Sequence, residues 1–161
     1  MKQKNKKLPA LALRLGSVGL AVIAAAYISA AHFRLMLIQG SSMEPSYHNF
    51  QLVVLDRHSR SCHRGDVIAF RCRGLSAVLV KRVAAEEGDR VQICEGTLLV
   101  NGEPSPLYAE GSFEYGGILE SPVVLGGGEY IVIGDNISES KDSRYEAVGI
   151  VRAEDIIGRV I

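Results

Sequence analysis

The chain has 161 residues, 47% of them hydrophobic, and a formal net charge of zero; that is enough for one domain with a real core and too little for two large ones. The charge is uneven: Lys2, Lys4, Lys6, Lys7 and Arg14 lie in the first fourteen residues with no acid among them, leaving 13 basic residues against 18 acidic ones in the rest. A mildly acidic body lacks the basic face of a nucleic-acid binder, so no nucleic-acid partner is expected.

After the basic tip (1–14), residues 15–31 read LGSVGLAVIAAAYISAA, without a charge. Seventeen such residues sit at the short end of what spans a bilayer, and Arg14 and Arg34 can snorkel at its two ends. With Leu35-Met36-Leu37 included, the expected anchor covers 15–37. The lysine cluster keeps the N-terminus in the cytoplasm and sends the remainder outward. A cleavable signal peptide fits the same stretch, since Ala24-Ala25-Ala26 supplies an A-x-A pattern. Both readings put the body, 38–161, outside the cytoplasm. A buried core helix is disfavoured because no second long helix is available to pack it.

From Gln51 onward, short apolar runs alternate with turn signals. Strands are expected at 51–55, at 66–70 after Arg64-Gly65, and at 77–84, the last apolar enough to be buried on both faces. Residues 90–94 and 97–100 flank Glu95-Gly96 and predict a hairpin with a tight turn. The stretch 105–128 is rich in Gly, Pro, Ser and Tyr and reads as a long, mostly exposed excursion. Further strands are expected at 129–133 and 155–161. This spacing predicts a mainly β body, a sandwich or a barrel. Cys62, Cys72 and Cys94 have no metal-binding spacing; they read as small buried hydrophobes, with one disulfide open to an extracytoplasmic body.

Two short stretches carry chemistry: Gly40-Ser41-Ser42-Met43-Glu44-Pro45, and Lys81 within Ala77 to Ala84. Lysine acts as a base only when neutral, and desolvation is the main way to bring its pKa down from about 10.4. An apolar strand is a setting for that. Ser42 needs a base, an oxyanion site and a rigid mount. Lys81 is the candidate base, as in Ser-Lys variants of the triad, and the Ser42 backbone N–H is one oxyanion donor. A polar loop, Gly134-Asp135-Asn136 through Arg144, follows a buried strand. It offers a hydroxyl to orient the lysine and an Asp142–Arg144 pair as a brace. Singly these features are common: a serine in a turn, a lysine snorkelling from a strand, a Gly-Asp-Asn turn.

Together and in order, the blocks resemble type I signal peptidases of the bacterial, single-anchor form. Gly40 to Ser46 resembles the nucleophile box, and Arg64-Gly65-Asp66-Val67-Ile68-Ala69-Phe70 the turn-and-strand box. Lys81-Arg82-Val83 with Gly88-Asp89 resembles the general-base box. Gly134-Asp135-Asn136, Ser140, Asp142-Ser143-Arg144 and Gly149 resemble the final box. The resemblance implies a signal-peptidase-type antiparallel β body with one N-terminal transmembrane helix, kept as an anchor in the cell membrane. It implies a serine endopeptidase that removes signal peptides from exported preproteins after small residues (A-x-A). Ser42 is then the nucleophile and Lys81 the base; Ser140 hydrogen-bonds the Lys81 amine, and Asp142 and Arg144 hold the final loop. Ile38, Met43 and Val80 are the expected walls of the shallow pockets for the −1 and −3 side chains. The partners are signal peptides and the lipid bilayer, and no cofactor or metal is implied.

The chain departs from the family pattern in places. Gly40 stands where some members carry a serine that helps the oxyanion hole. Ile137 replaces a usual arginine, Ser138-Glu139 replace an Asp-Asn type of pair, and Arg144 to Gly149 is stretched. Rival readings are a non-catalytic anchored or secreted β binding module, a peptidase dedicated to one pilin or conjugation substrate, and a self-cleaving repressor-type Ser/Lys protease. The last expects a DNA-binding or partner module where this chain has an apolar segment. Ser138-Glu139-Ser140-Lys141 matches the S-x-x-K string of penicillin-binding enzymes by chance, since their other motifs are missing. His32, His48, His58 and His63 read as scattered surface residues.

Overall fold

The computed structural model describes residues 16–23, 32–58, 61–109 and 111–161. The basic tip, 1–14, and residues 15 and 24–31 of the expected anchor lie outside the described residues. Residues 16–23 are helical, and among the described residues no helix is long and apolar enough to cross a membrane.

Among the described residues eleven strands follow in chain order: β1 (Phe33–Leu37), β2 (Leu52–Asp56), β3 (Val67–Cys72), β4 (Ala77–Ala85), β5 (Arg90–Cys94), β6 (Thr97–Val100), β7 (Glu103–Pro104), β8 (Val123–Val124), β9 (Glu129–Ile133), β10 (Val151–Arg152) and β11 (Ile156–Val160). They form a seven-stranded sheet in the order β1-β2-β11-β3-β4-β9-β10 and a four-stranded sheet in the order β7-β6-β5-β8. Every pairing is antiparallel. The mainly β body is thus as expected, built as two sheets.

β4 is the hub. It pairs with β3 from Val67↔Arg82 to Cys72↔Ala77, and with β9 from Arg82↔Ile133 to Ala85↔Ile131. Its side chains enter three apolar clusters: Val80 packs with Met43, Leu55, Val67 and Ala69, Val83 with Ile68, Phe70 and Val132, and Ala84 and Ala85 with Val91, Leu98 and Ile131. From Val80 to Ala85 the strand is buried apart from half-buried Arg82, in keeping with its nearly all-apolar run, while Ala77 and Val78 are exposed. The β5–β6 hairpin turns at Glu95 (φ 50°) and Gly96 (φ 75°). Two successive positive φ values make the turn whose twist suits a two-residue hairpin.

The structure corrects one expectation and narrows another. The anchor does not run to residue 37: Phe33–Leu37 is β1, paired residue for residue with β2 from Phe33↔Asp56 to Leu37↔Leu52. The apolar residues that extended the anchor on paper alternate along an edge strand, leaving Phe33, Leu35 and Leu37 exposed on one face. Residues 105–128 are an exposed excursion only in part: 12 of the 23 described residues are exposed, and others enter the core. Tyr108, Phe113, Leu119 and Leu125 are buried against Val91, Ile93, Leu98 and Val100, and β8 pairs with β5. The small sheet has an apolar face that needs a cover, and these widely spaced side chains supply it. Cys62, Cys72 and Cys94 are all free thiols. Cys62 and Cys72 lie in one core cluster, and burial pushes the Cys62 thiol up to about 11.

Candidate active site

Ser42 sits on the tight turn between β1 and β2. The turn is closed by hydrogen bonds from Glu44 N to Ser41 O (3.1 Å) and from Tyr47 N to Met43 O (2.9 Å). Met43, 1% exposed, plugs the turn into the cluster beneath β4. Gly40 has φ +94°, which favours glycine there. Its N–H donates to Asn49 Oδ1 at 2.9 Å.

The middle of β4 brings Lys81 to this turn. Lys81 Nζ lies 2.5 Å from Ser42 Oγ, and the lysine is 3% exposed. Burial pulls its pKa down to about 8, against the opposing pull of the Asp142 and Asp135 carboxylates. The arrangement matches what an amine needs to take a serine proton near neutral pH: contact, and a neutral form within reach.

The 134–144 loop closes the site from behind. Asp142 is fully buried and Arg144 nearly so. Arg144 Nε and Nη2 grip the Asp142 carboxylate at 2.8 and 3.0 Å, and Nη2 also donates to the carbonyls of Ile137 and Ser140. Asp142 Oδ2 accepts the Gly134 N–H at 3.2 Å. Asp142 and Arg144 are thus paired with each other. Gly134 is required by close approach: a Cβ there would stand 2.5 Å from Ser42 O and 2.6 Å from Ser140 Cβ.

Ser140 reaches this neighbourhood, but its expected hydrogen bond to the Lys81 amine is not made. Its Oγ is buried with no hydrogen-bond partner among the described residues. The expected pocket walls do come together. Ile38, Met43 and Val80 line one groove of about 440 Å³ with Ser42 and Lys81. Met36, Leu37 and Leu79 join them, because the β1 residues assigned on paper to the anchor form one side of the groove.

Sequence reasoning gave no role to four further residues, Arg82, Asp135, Asn136 and Asn49. Arg82 holds Asp135 in a two-pronged ion pair at 2.7 and 2.6 Å and donates to Gly65 O, joining three of the sequence blocks. Asn136 N donates to Ser42 O at 3.1 Å, and its side chain donates to Ser41 O at 3.3 Å. Asn49, capping Gly40, carries no signal in the sequence. Arg82, Asp135 and Asn136 do lie inside the blocks, and that was the available clue.

The family model described as signal peptidase, peptidase S26, matches residues 12–161. Signal peptidase I U of Bacillus subtilis is 31% identical over 139 residues, 78% of this chain and 72% of that protein. Signal peptidase I of Bacillus licheniformis is 29% identical over 150 residues, 86% and 80% of the two chains. A probable signal peptidase I-2 of Synechocystis is 30% identical over 134 residues, 76% of this chain; the match spans 58% of that longer protein. Among solved structures, a signal peptidase I from Enterococcus faecalis superposes with a TM-score of 0.50 at 25% identity, covering 63% of this chain and 97% of that one.

Proposed function

We propose, from the premise that the chain belongs to the signal peptidase family S26 of serine endopeptidases that remove signal peptides, that Ser42 and Lys81 are its catalytic pair. One observation carries this reading: a buried amine 2.5 Å from a serine hydroxyl.

A signal peptide lies extended in the groove between β1 and the start of β4, with small −1 and −3 side chains over Ile38, Met43 and Val80. These buried residues make a shallow floor, which rejects large side chains by steric clash. Neutral Lys81 takes the Ser42 proton as Oγ attacks the carbonyl carbon of the −1 residue. The Ser42 N–H steadies the oxyanion. The Lys81 ammonium returns the proton to the departing amine, leaving an acyl-enzyme. Lys81 then takes a proton from the water that hydrolyses the ester, and Ser42 is restored. Ser140 is a positioning residue for Lys81. Its buried, unpartnered hydroxyl, facing the Ser42 backbone across Gly134, supports that role.

The apolar segment before β1 anchors the protein, single-pass, in the cell membrane, with the basic tip in the cytoplasm and the β body outside. Phe33, Leu35, Leu37, Phe50 and Leu52 are exposed around β1 and β2. An apolar patch where the chain leaves the anchor supports contact with the bilayer. The deciding experiment is cleavage of an A-x-A preprotein in detergent. Ser42→Ala and Lys81→Ala are expected to abolish it, and retained activity in Lys81→Ala overturns the pair.

A further inference from the structure

Beside the nucleophile turn lies a second depression of about 480 Å³, whose walls include Glu44, Pro45, Asp135, Asn136, Ile137 and Ser138. It shares no lining residue with the groove that holds Ser42 and Lys81. The turn connects the two: Ser42 and Met43 line the first, and Glu44 and Pro45 line the second. The far wall is fixed to the nucleophile as well, because Asn136 donates to the carbonyls of both Ser41 and Ser42.

Charge distinguishes this depression. The Asp135 carboxylate is consumed by the Arg82 guanidinium. Glu44 is different: its ion-pair partner is His48, 4.0 Å away, exposed, and charged only when protonated. Among the described residues no lysine or arginine pairs with Glu44, so its carboxylate stands on the rim without a fixed cation beside it.

A peptide with its −1 and −3 side chains in the first groove must leave Ser42 by another path. The second depression abuts the same turn. We propose that it receives the first residues after the scissile bond, and that Glu44 favours basic over acidic side chains there. The inference rests on the signal-peptidase reading of Ser42 and Lys81 and adds a specificity-determining residue to it. Repulsion between Glu44 and an acidic side chain supplies the discrimination, in the way like charges exclude wrong partners.

The test uses the whole protein in detergent and matched peptides sharing one A-x-A segment, with Lys, Ala or Asp at the second and third residues after the cleavage site. In wild type, kcat/KM for the Lys peptide should exceed that for the Asp peptide by about two- to fivefold at low salt, the scale of an exposed ion pair. The ratio should shrink at high salt. In Glu44→Gln it should fall to about one. A ratio unchanged in Glu44→Gln overturns the proposal. So does wild-type indifference to Lys against Asp, which decides the matter even where the variant does not fold. If wild type cleaves none of the peptides, including the Ala one, the peptidase reading itself falls and this inference falls with it.

Discussion

The 134–144 loop and the segment from Ile38 to Asn49 meet at Ser42, yet they are held by different means. Asp142, Ser143 and Arg144 are at most 3% exposed. They are joined by a two-pronged ion pair, by bonds to the carbonyls of Ile137 and Ser140, and by the Ser143 side chain accepting the Val132 N–H. Opposite them, Gly40 and Asn49 are exposed, and the segment is tied by Ile38 N to Gln51 O, Phe50 N to Ile38 O and Gly40 N to Asn49 Oδ1. The first wall is core that carries polar machinery; the second is an open lip against which a substrate can lie. Damage to the first should register as lost stability, and damage to the second as lost turnover.

Arg144→Ala tests the core wall most severely. Removing one partner of a buried pair leaves the other charge stranded, at a cost of about 3–5 kcal/mol. The expected result is a large drop in Tm, with activity lost at ordinary temperatures. Arg144→Lys should rescue little, because an ammonium cannot span Asp142 and two carbonyls at once. A Tm near wild type in Arg144→Ala would erase the contrast between the walls.

Lys81 lies at the boundary of the two regions and should give the opposite sign. Its folded pKa is about 8 against an ordinary 10.5. The unfolded chain therefore binds more protons between those values, so stability rises with pH through that window. Below it, the folded state carries a constant penalty of about 3 kcal/mol. Lys81→Met should be inactive and more stable than wild type at pH 7. Wild-type activity should climb from pH 7 and level off above 8, since about a tenth of the amine is neutral at pH 7. A flat profile between pH 7 and 9, with chemistry rate-limiting, would remove Lys81 as the base.

The contrast also explains what was legible in the sequence. The proposed Ser42 and Lys81 pair and the Asp142–Arg144 brace stood out because the chemistry proposed for them demands particular residue types, in fixed order, within apolar or glycine-bounded surroundings. β4 was readable because its run is nearly all apolar, with Lys81 and Arg82 as the exceptions. β1 was not, because its residues continue the hydrophobicity of the segment before it. The period-two alternation of Phe33, Leu35 and Leu37 about Arg34 was the available signal. The cover of the small sheet was hidden because Tyr108, Phe113, Leu119 and Leu125 are spread among glycines and prolines without a period. The Arg82–Asp135 pair joins residues 53 positions apart, and only the fold brings them together.

On the open lip, Asn49→Ala removes the acceptor for the Gly40 N–H, a loss of about 1 kcal/mol. Gly40 is also where the chain lacks a side-chain oxyanion donor, so the backbone there has to be well placed. The expected outcome is a kcat reduced by about three- to tenfold, with KM little changed and Tm lower by no more than a few degrees. Asn49→Asp keeps the acceptor and should restore kcat. If Asn49→Ala instead lowers Tm at unchanged kcat, the lip is structural like the opposite wall.

Ser140 gives the smallest stability effect and the sharpest test of how the two sides cooperate. Its hydroxyl is buried without a partner among the described residues, a condition that costs about 1–3 kcal/mol. Ser140→Ala removes that cost along with a single oxygen atom, so Tm should hold or rise slightly. Activity should nevertheless fall, because a positioning hydroxyl for Lys81 is lost, and the pH at half-maximal activity should shift with it. The two readouts separate the alternatives. Lower Tm with lower activity would mean that the hydroxyl is bonded in the resting fold. Unchanged activity and an unchanged pH profile would mean that Lys81 is held by packing and by Ser42 alone.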